Sequence, residues 1–395
     1  LRWPGIPDDQ CYFIGATNPG GVGHCVDEGE VLTPEGWKDI RKFKIGDPVY
    51  TVAKDGTLYE TKTEQVHKHR YQGELIKINT RGCYMSFTPN HQIAKRFGTR
   101  KNKNTRNRVS DLFSIVPFSD LPGQATVLRS IKKWDGKELL SFAPAKIKTR
   151  RLRIEQPTKI DGDSYAKLMG WILTEGFTID RDKAFGIAQM KTNNRKQIET
   201  LLDECGFHYV KTKSGFMIYA ADWWDYLRQF GKCREKFVPK NLKLASKKQL
   251  QILLVSMMDG DGHWIKRKQS GTFYSFSKQL ADDFAEIAVK AGYIVSGNSR
   301  RKENRNGKEY HINIKKTLSG GTEILTGNHI YNVNTYTKRR SNIQRVFYDG
   351  DVYCIGVPET HTFIIRQKGS VWVSGNSWVK GFWMDKTFPP EFYDP

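Results

Sequence analysis

The sequence predicts a mixed fold: an all-β domain split along the chain, with an α/β domain built from a duplicated αββα unit lodged between its halves. Three observations carry this expectation. Residues 26–80 alternate apolar and polar side chains between closely spaced turn signals, the stretch 160–316 takes helical spacing, and the β texture returns after residue 345. At 395 residues the chain exceeds one ordinary core, so two or three domains are expected.

Taken in order, residues 1–24 end in the loop-like run TNPGGVGH. Short strands joined by tight turns follow, because TPEGW, IGDP, KDG and YQGE punctuate the alternation through residue 80. YMSFTPNHQIA continues the pattern, and the basic run at 95–108 reads as a loop. SYAKLMGWILTEGF has the spacing of a buried helix closed by glycine; RKQIETLLDECGF, ADWWDYLRQFG, KKQLQILLVSMMDGDG and QLADDFAEIAVKAGY read the same way. FGIAQMK, FMIYA and TFYSFS are short strands between them, and VYCIGV, HTFIIR and SVWVSGN restore the β pattern. The helical region repeats itself. Each half opens with an apolar helix ending in an acid–glycine pair (TEG, DGDG) and closes with a helix ending in Gly-aromatic (CGF at 205–207, AGY at 291–293). An acid at the same place in each copy suits a pseudo-two-fold site.

The net charge is +22, and it is unevenly placed. Residues 95–108 hold 7 basic side chains in 14 with no acid, and KIKTRRLR, SRRKENRNGK and TKRRSNIQR repeat the theme. Four such runs favour a polyanion, nucleic acid first, over solvated loops. No apolar run is long enough to span a bilayer, and LRWPGIPDDQ lacks a signal-peptide core, so a soluble intracellular protein is expected. The six cysteines form no CxxC pair, which leaves a zinc site without support and reads as scattered reduced thiols.

Four segments share a resemblance. CVDEGEVLTPEGWKDIRKFKIGDPVYT at 25–51, YMSFTPNHQI at 84–93, VYCIGVPETHTFII at 352–365 and VWVSGNS at 371–377 resemble, in order, the blocks of inteins. The resemblance implies a horseshoe-shaped β splicing domain of the Hint type over 25–145 and 330–376, with protein splicing as its activity and no cofactor. Cys25 would attack the preceding carbonyl and turn the His24–Cys25 bond into a thioester. Thr88 and His91 would stabilise the oxyanion and protonate the leaving nitrogen. Ser377 would take over the upstream chain. Asn376 would cyclise through its side-chain amide, assisted by His361, and release the joined flanks. Two positions depart from the family pattern. Gly375 stands where inteins usually have His, and Cys354 stands where the penultimate block usually has Asp; Cys354 reads either as a helper in proton or acyl transfer or as a packed core thiol.

LMGWILTEG at 168–176 and LVSMMDGDG at 254–262 resemble the signature helices of LAGLIDADG homing endonucleases, over 155–320. That resemblance implies helices packed through small residues, with Glu175 and Asp261 as paired metal-holding acids, Mg²⁺ as the cofactor and double-stranded DNA (the uninterrupted host gene) as the substrate. Lys191 and Lys278 follow the two helices at similar places, either against the scissile phosphate or as surface lysines. Strands after each helix would read bases with basic and polar side chains. The flanks 1–24 and 377–395, joined, resemble a motif region of phage terminase large subunits, which implies a phage-encoded host protein in the host cytoplasm. The expected whole is a monomeric intein precursor. The rivals are an endonuclease whose splicing has failed, a hedgehog-like autoprocessing domain that cleaves without ligating, and a plain DNA-binding module.

Overall fold

The structure is a computed structural model that describes residues 26–80, 82–96, 112–147, 155–265, 269–298, 308–317, 320–325, 329–332, 337–340 and 343–376. His24, Cys25, Ser377, both flanks and most of the basic runs at 95–108 and 299–308 lie outside the described residues. The chain is mostly sheet, and the described α-helices all fall between 162 and 290: α1 Gly162–Glu175, α2 Thr192–Glu204, α3 Ala221–Leu227, α4 Lys240–Lys243, α5 Lys247–Asp261 and α6 Lys278–Lys290. None of the described helices is long and apolar enough to cross a membrane.

The β-rich part brings segments far apart in the chain together. Its largest sheet runs Gly36–Asp39, Glu30–Thr33, Thr362–Gln367, Ser370–Gly375, Gln92–Arg96, Gln124–Leu128, Gly321–Leu325, with Phe113–Pro117 paired to Gln92–Arg96. A strand near residue 30 therefore lies beside one near residue 365, and the last described strand lies beside Gln92–Arg96. The long strands Gln65–Thr80 and Ile343–Gly356 pair antiparallel over fourteen positions, from Ile343↔Ile78 to Gly356↔Gln65. Apolar alternation produces this. Leu75, Ile76 and Ile78 from one strand and Val352, Cys354 and Ile355 from the other are buried, with Lys77 and Tyr353 half-buried between them.

The α/β part is duplicated. The expected αββα unit is followed in each copy by a second strand pair. The two sheets have the same internal order: Gly176–Ile179, Ala184–Ala188, Gly215–Ile218, Val210–Thr212 in one, and Gly262–Ile265, Ser270–Ser275, Tyr310–Lys315, Ile294–Asn298 in the other. Asp161 caps α1 by accepting from the backbone N–H of Asp163 and Ser164, and Ser246 caps α5 through Gln249. α1 and α5 cross closely because glycine sits at the contact. A Cβ at Gly170 would run into Ser256 Cβ, and one at Gly260 would run into the Thr174 side chain. Leu253, Met257 and Trp171 add apolar packing beside these two contacts.

Polar seams bind the two parts. Arg129 is buried and donates to the carbonyls of Val371 and Gly82 in the β part (2.9 and 2.7 Å) and of Val295 in the α/β part (2.9 Å). Lys290 donates to Glu286 at 2.7 Å and to the Tyr50 hydroxyl at 3.3 Å, and lies over the Trp134 ring at 4.4 Å. Glu286 also meets Lys243, which pairs with Asp283 (3.2 Å each), so the buried charges compensate one another. At the expected boundary near 145, Ser141–Phe142 pairs with Ile160–Asp161, and Phe142 stacks on Tyr165 of α1 at 4.0 Å.

Candidate functional sites

Two clusters hold the described residues singled out by sequence, Lys278 excepted. The first lies where the largest sheet meets the Ile343–Gly356 strand. Val26, the residue after Cys25, exchanges both backbone hydrogen bonds with Tyr353 (2.9 and 2.8 Å). Its neighbour along the strand is Cys354, buried, with Sγ 3.6 Å from the Ile355 carbonyl. Thr88 and His91 form a turn after strand Cys83–Phe87: His91 N–H donates to the Thr88 carbonyl at 3.0 Å, and both residues are 0% exposed. The His91 ring is stacked on Phe87 at 5.1 Å and meets the Trp372 ring edge-on at 5.5 Å. Its Nε2 lies 2.9 Å from Ser374 Oγ.

Asn376 is 2% exposed and held from two directions. Its backbone N–H donates to the His361 carbonyl, and its Nδ2 donates to the Val357 carbonyl, both at 2.9 Å. The side-chain oxygen Oδ1 is buried with no hydrogen-bond partner among the described residues. His361 has φ of 55° and Glu359 has φ of 59°. Left-handed backbone costs a non-glycine residue roughly 1–2 kcal/mol, so the turn before strand Thr362–Gln367 is held by its surroundings.

Gly375 leaves no room for the His that the resemblance to inteins leads one to expect there. A Cβ there would lie 2.5 Å from Gln92 Cβ and 3.0 Å from the Gln92 carbonyl, so no side chain fits without moving the neighbouring strand. Gly375→His is therefore expected to lower stability by about 1–3 kcal/mol by overpacking and to slow any reaction at Asn376. The check is the melting midpoint beside the rate of cleavage at 376–377; a faster reaction at unchanged stability contradicts the packing argument.

The second cluster lies at the ends of α1 and α5. Glu175 and Asp261 are the last residues of the two helices. Burial of its carboxyl against the helix ends, and next the neighbouring Glu175 charge, push Asp261 up to about 6, although the outer surface of the residue stays open to solvent. Burial likewise raises Glu175, opposed by Lys191, by Gln189 and by Lys236. Gln189 Nε2 donates to Glu175 Oε1 at 3.1 Å. Lys236, buried, donates to the carbonyls of Ile172 and Gly176 at 2.9 Å, which closes the C-terminus of α1. Asp259, at a packing position, accepts from the Trp264 indole at 3.0 Å. An open cleft of about 1110 Å³ adjoins Glu175 and Lys236.

Lys191 and Lys278 differ. Lys191 precedes α2 and acts on both acids, whereas Lys278 pairs with Asp282 at 2.5 Å. Asp282 also binds Arg366 at 2.7 Å, so Lys278 belongs to the seam with the β part. Lys236 takes the second place beside the acids. Sequence reasoning missed it because a single lysine in a linker carries no motif. Ser374 was also missed; its signal is a serine within Ser370–Gly375, every residue of which is buried. The two sheets differ on their outer faces. Phe177, Met217 and Val210 share one cross-strand row of the first sheet, with Phe177 43% and Val210 53% exposed. His263, Thr272 and Asn313 share the corresponding row of the second. That row is apolar on the first sheet and polar on the second.

No family model matches the chain. It is 23% identical over 284 residues to an ATP-dependent Clp protease proteolytic subunit of Chlamydomonas moewusii, covering 66% of this chain and 27% of that protein. It is 24% identical over 417 aligned positions to a DNA-directed RNA polymerase subunit beta C-terminal section of Stigeoclonium helveticum, covering 91% of this chain and 37% of that protein. The chain thus spans well under half of either curated relative. Structural neighbours include the homing endonuclease I-DmoI in complex with DNA and Mn, 14% identical, with a TM-score of 0.29 over 39% of this chain and 90% of that one. They also include a splice-inactive variant of the AceL NrdHF class 3 split intein, 8% identical, with a TM-score of 0.29 over 90% of this chain and 99% of that one.

Proposed function

We propose that residues 25–376 are a self-splicing element that excises itself and joins His24 to Ser377, and that its α/β part is a site-specific DNA endonuclease. The observation that carries the splicing reading is convergence. Val26 is bonded to Tyr353 and Asn376 to Val357, four residues further along the same segment, while the backbone of Asn376 reaches His361 and Ser374 reaches His91, so both ends of the element are tied to one short stretch of chain and the downstream end meets both histidines. The curated relatives add support. A peptidase subunit and a polymerase subunit have unrelated names yet match this chain over only 27% and 37% of their lengths, as an inserted element would.

The chemistry follows from the side chains. Cys25 Sγ attacks the His24 carbonyl carbon, the C–N bond breaks, and the amine leaves with a proton from His91. Ser377 Oγ displaces the thiolate and carries the upstream chain as an ester. Asn376 Nδ2 attacks its own carbonyl carbon, and the 376–377 peptide bond breaks with formation of a succinimide. The freed amine of Ser377 then attacks the ester, leaving an ordinary peptide bond. Donation of the Asn376 Nδ2–H to Val357 aims the nitrogen and enriches it in electron density. The clamp from His361 to the Asn376 backbone fixes the attack geometry. Cys354, buried and adjacent in sequence to the Tyr353 that pairs with Val26, reads best as a packed thiol.

The paired acids fit a divalent cation, proposed as Mg²⁺. Two carboxylates crowd together, Asp261 is held above its usual range, and both offer hard oxygen donors. Among the described residues no group of three or more acidic, His or Cys side chains forms a metal cage. Bound there, such an ion supplies a Lewis acid at a phosphodiester. Gln189 orients Glu175, and Lys191 and Lys236 set positive charge beside the acids, where a phosphate is attracted. The terminase host rests on residues 1–24 and 377–395 alone. Incubation with DNA carrying the uninterrupted host junction tests the nuclease. Cleavage is expected with the divalent ion, and binding without cleavage would favour the DNA-binding rival. Lys191→Ala is expected to slow cleavage by about 10- to 100-fold while Lys278→Ala stays near wild type; equal losses would contradict the asymmetry.

A further inference from the structure

We infer that Ser374 is a positioning residue that ties the two cleavage steps together, its hydroxyl bridging His91 and the peptide that precedes Asn376. The inference rests on the splicing reading of the same cluster and adds a residue to it. Ser374 Oγ lies 2.9 Å from His91 Nε2 and donates to the Gly375 carbonyl at 3.0 Å. Ser374 and His91 are both 0% exposed, so water does not compete for these bonds.

A hydroxyl has one proton to give. Spent on the Gly375 carbonyl, it obliges His91 to donate Nε2–H to Ser374 Oγ. The bridge thus fixes the tautomer: Nε2 carries its proton throughout, and Nδ1 is the nitrogen that gains and loses one. His91 can then pass a proton at Nδ1 to the leaving amine without breaking its tie to Ser374. A charged His91 also makes Nε2–H a stronger donor, which polarises the hydroxyl and strengthens its hold on Gly375.

The Gly375–Asn376 peptide is gripped on both edges. Its carbonyl accepts from Ser374, and its N–H donates to the His361 carbonyl at 2.9 Å. The plane of that peptide sets where the Asn376 side chain starts, and hence where Nδ2 points. Gly375 itself has no room for a polar side chain, since its Cβ would meet Gln92 Cβ at 2.5 Å. The hydroxyl one residue earlier supplies the polar group from the same side of the strand as Trp372, which lies against His91 at 5.5 Å. The consequence is a chain His91–Ser374–Gly375–Asn376, in which the acid of the first cleavage and the nucleophile of the last share one hydroxyl.

The test uses the full chain with its flanks and isolates the steps. An Asn376→Ala background reads thiol-induced cleavage at Cys25, and a Cys25→Ala background reads cleavage at 376–377. Adding Ser374→Ala is expected to slow both by at least about tenfold and to shift the pH profile of the first, with Ser374→Thr recovering both. Slowing of one step alone, or of neither, at an unchanged melting midpoint overturns the bridge. Imidazole nitrogen NMR on the Cys25→Ala chain gives a second reading independent of any Ser374 variant. A His91 proton on Nε2 is expected, and one on Nδ1 alone overturns the inference. A parent chain that never cleaves sinks the splicing reading, while the NMR result still decides whether the bridge exists.

Discussion

Asn376→Ala leaves the flanks unjoined. No other side chain can form the succinimide, so cleavage at 376–377 falls by more than about a thousandfold and joined product is absent after days. Upstream chemistry survives, because Cys25 and His91 are untouched, and added thiol still releases the upstream flank. Folding survives too. The substitution removes the Nδ2 bond to Val357, worth about 1 kcal/mol, but it also removes Oδ1, which is buried without a partner among the described residues. These contributions oppose each other, so the melting midpoint stays near that of the parent. Mass spectrometry after thiol treatment checks the prediction. Release of the downstream flank from Asn376→Ala would place the reaction elsewhere.

Asp261→Asn abolishes DNA cleavage, by more than about a thousandfold, while DNA binding is kept or tightened because one negative charge leaves a surface that faces phosphates. The same substitution has a signed effect on stability. In the folded chain Asp261 ionises near 6 rather than at the ordinary 3.8, since burial and Glu175 oppose its charge. A carboxyl with a raised folded-state pKa weakens folding as pH climbs from the unfolded value through the folded one, and the loss persists above it. Asparagine has no charge to oppose. The variant is thus expected to melt roughly 1–3 °C above the parent at pH 7, an increment kept small by the solvent-open side of the carboxylate, and to match it below about pH 4. A divalent cation should raise the parent's midpoint and leave the variant's unchanged. At limiting metal, parent cleavage rises with pH up to about 6 and levels off above. Equal melting at both pH values would mean that the acids do not repel each other.

Much of this was legible in sequence for physical reasons. Glycine after an acid at the end of an apolar run marks helix ends, and α1 and α5 do end at Glu175 and Asp261. Alternation with turn residues marks strands, and the Gln65–Thr80 and Ile343–Gly356 ladder buries Leu75, Ile76, Ile78, Val352 and Ile355, although Phe347 on its far stretch is exposed. What escaped depends on tertiary placement. Gly321–Leu325 joins the largest sheet through Gln124–Leu128, a pairing across nearly 200 positions that local pattern does not reveal. Lys191 and Lys278 look equivalent in sequence, yet Ser277, not Lys278, is the cap of α6 that corresponds to Lys191 ahead of α2, and the one-residue offset sends Lys278 to Asp282. Lys236 and Ser374 act through backbone carbonyls, which sequence does not display. The apolar row of Phe177, Met217 and Val210 follows from cross-strand register, and so is seen only once the sheet is assembled.

The central claim is that both ends of the 25–376 segment react at one place. The direct measurement is the mass, over time, of this chain between two different tags, beside its Cys25→Ala version. The account predicts one species carrying both tags joined through His24 and Ser377 and one untagged species spanning 25–376, with no joined species in the variant. A full-length chain that persists unchanged in the parent, under reducing conditions and across temperature, would contradict it and leave DNA cleavage as the function to pursue.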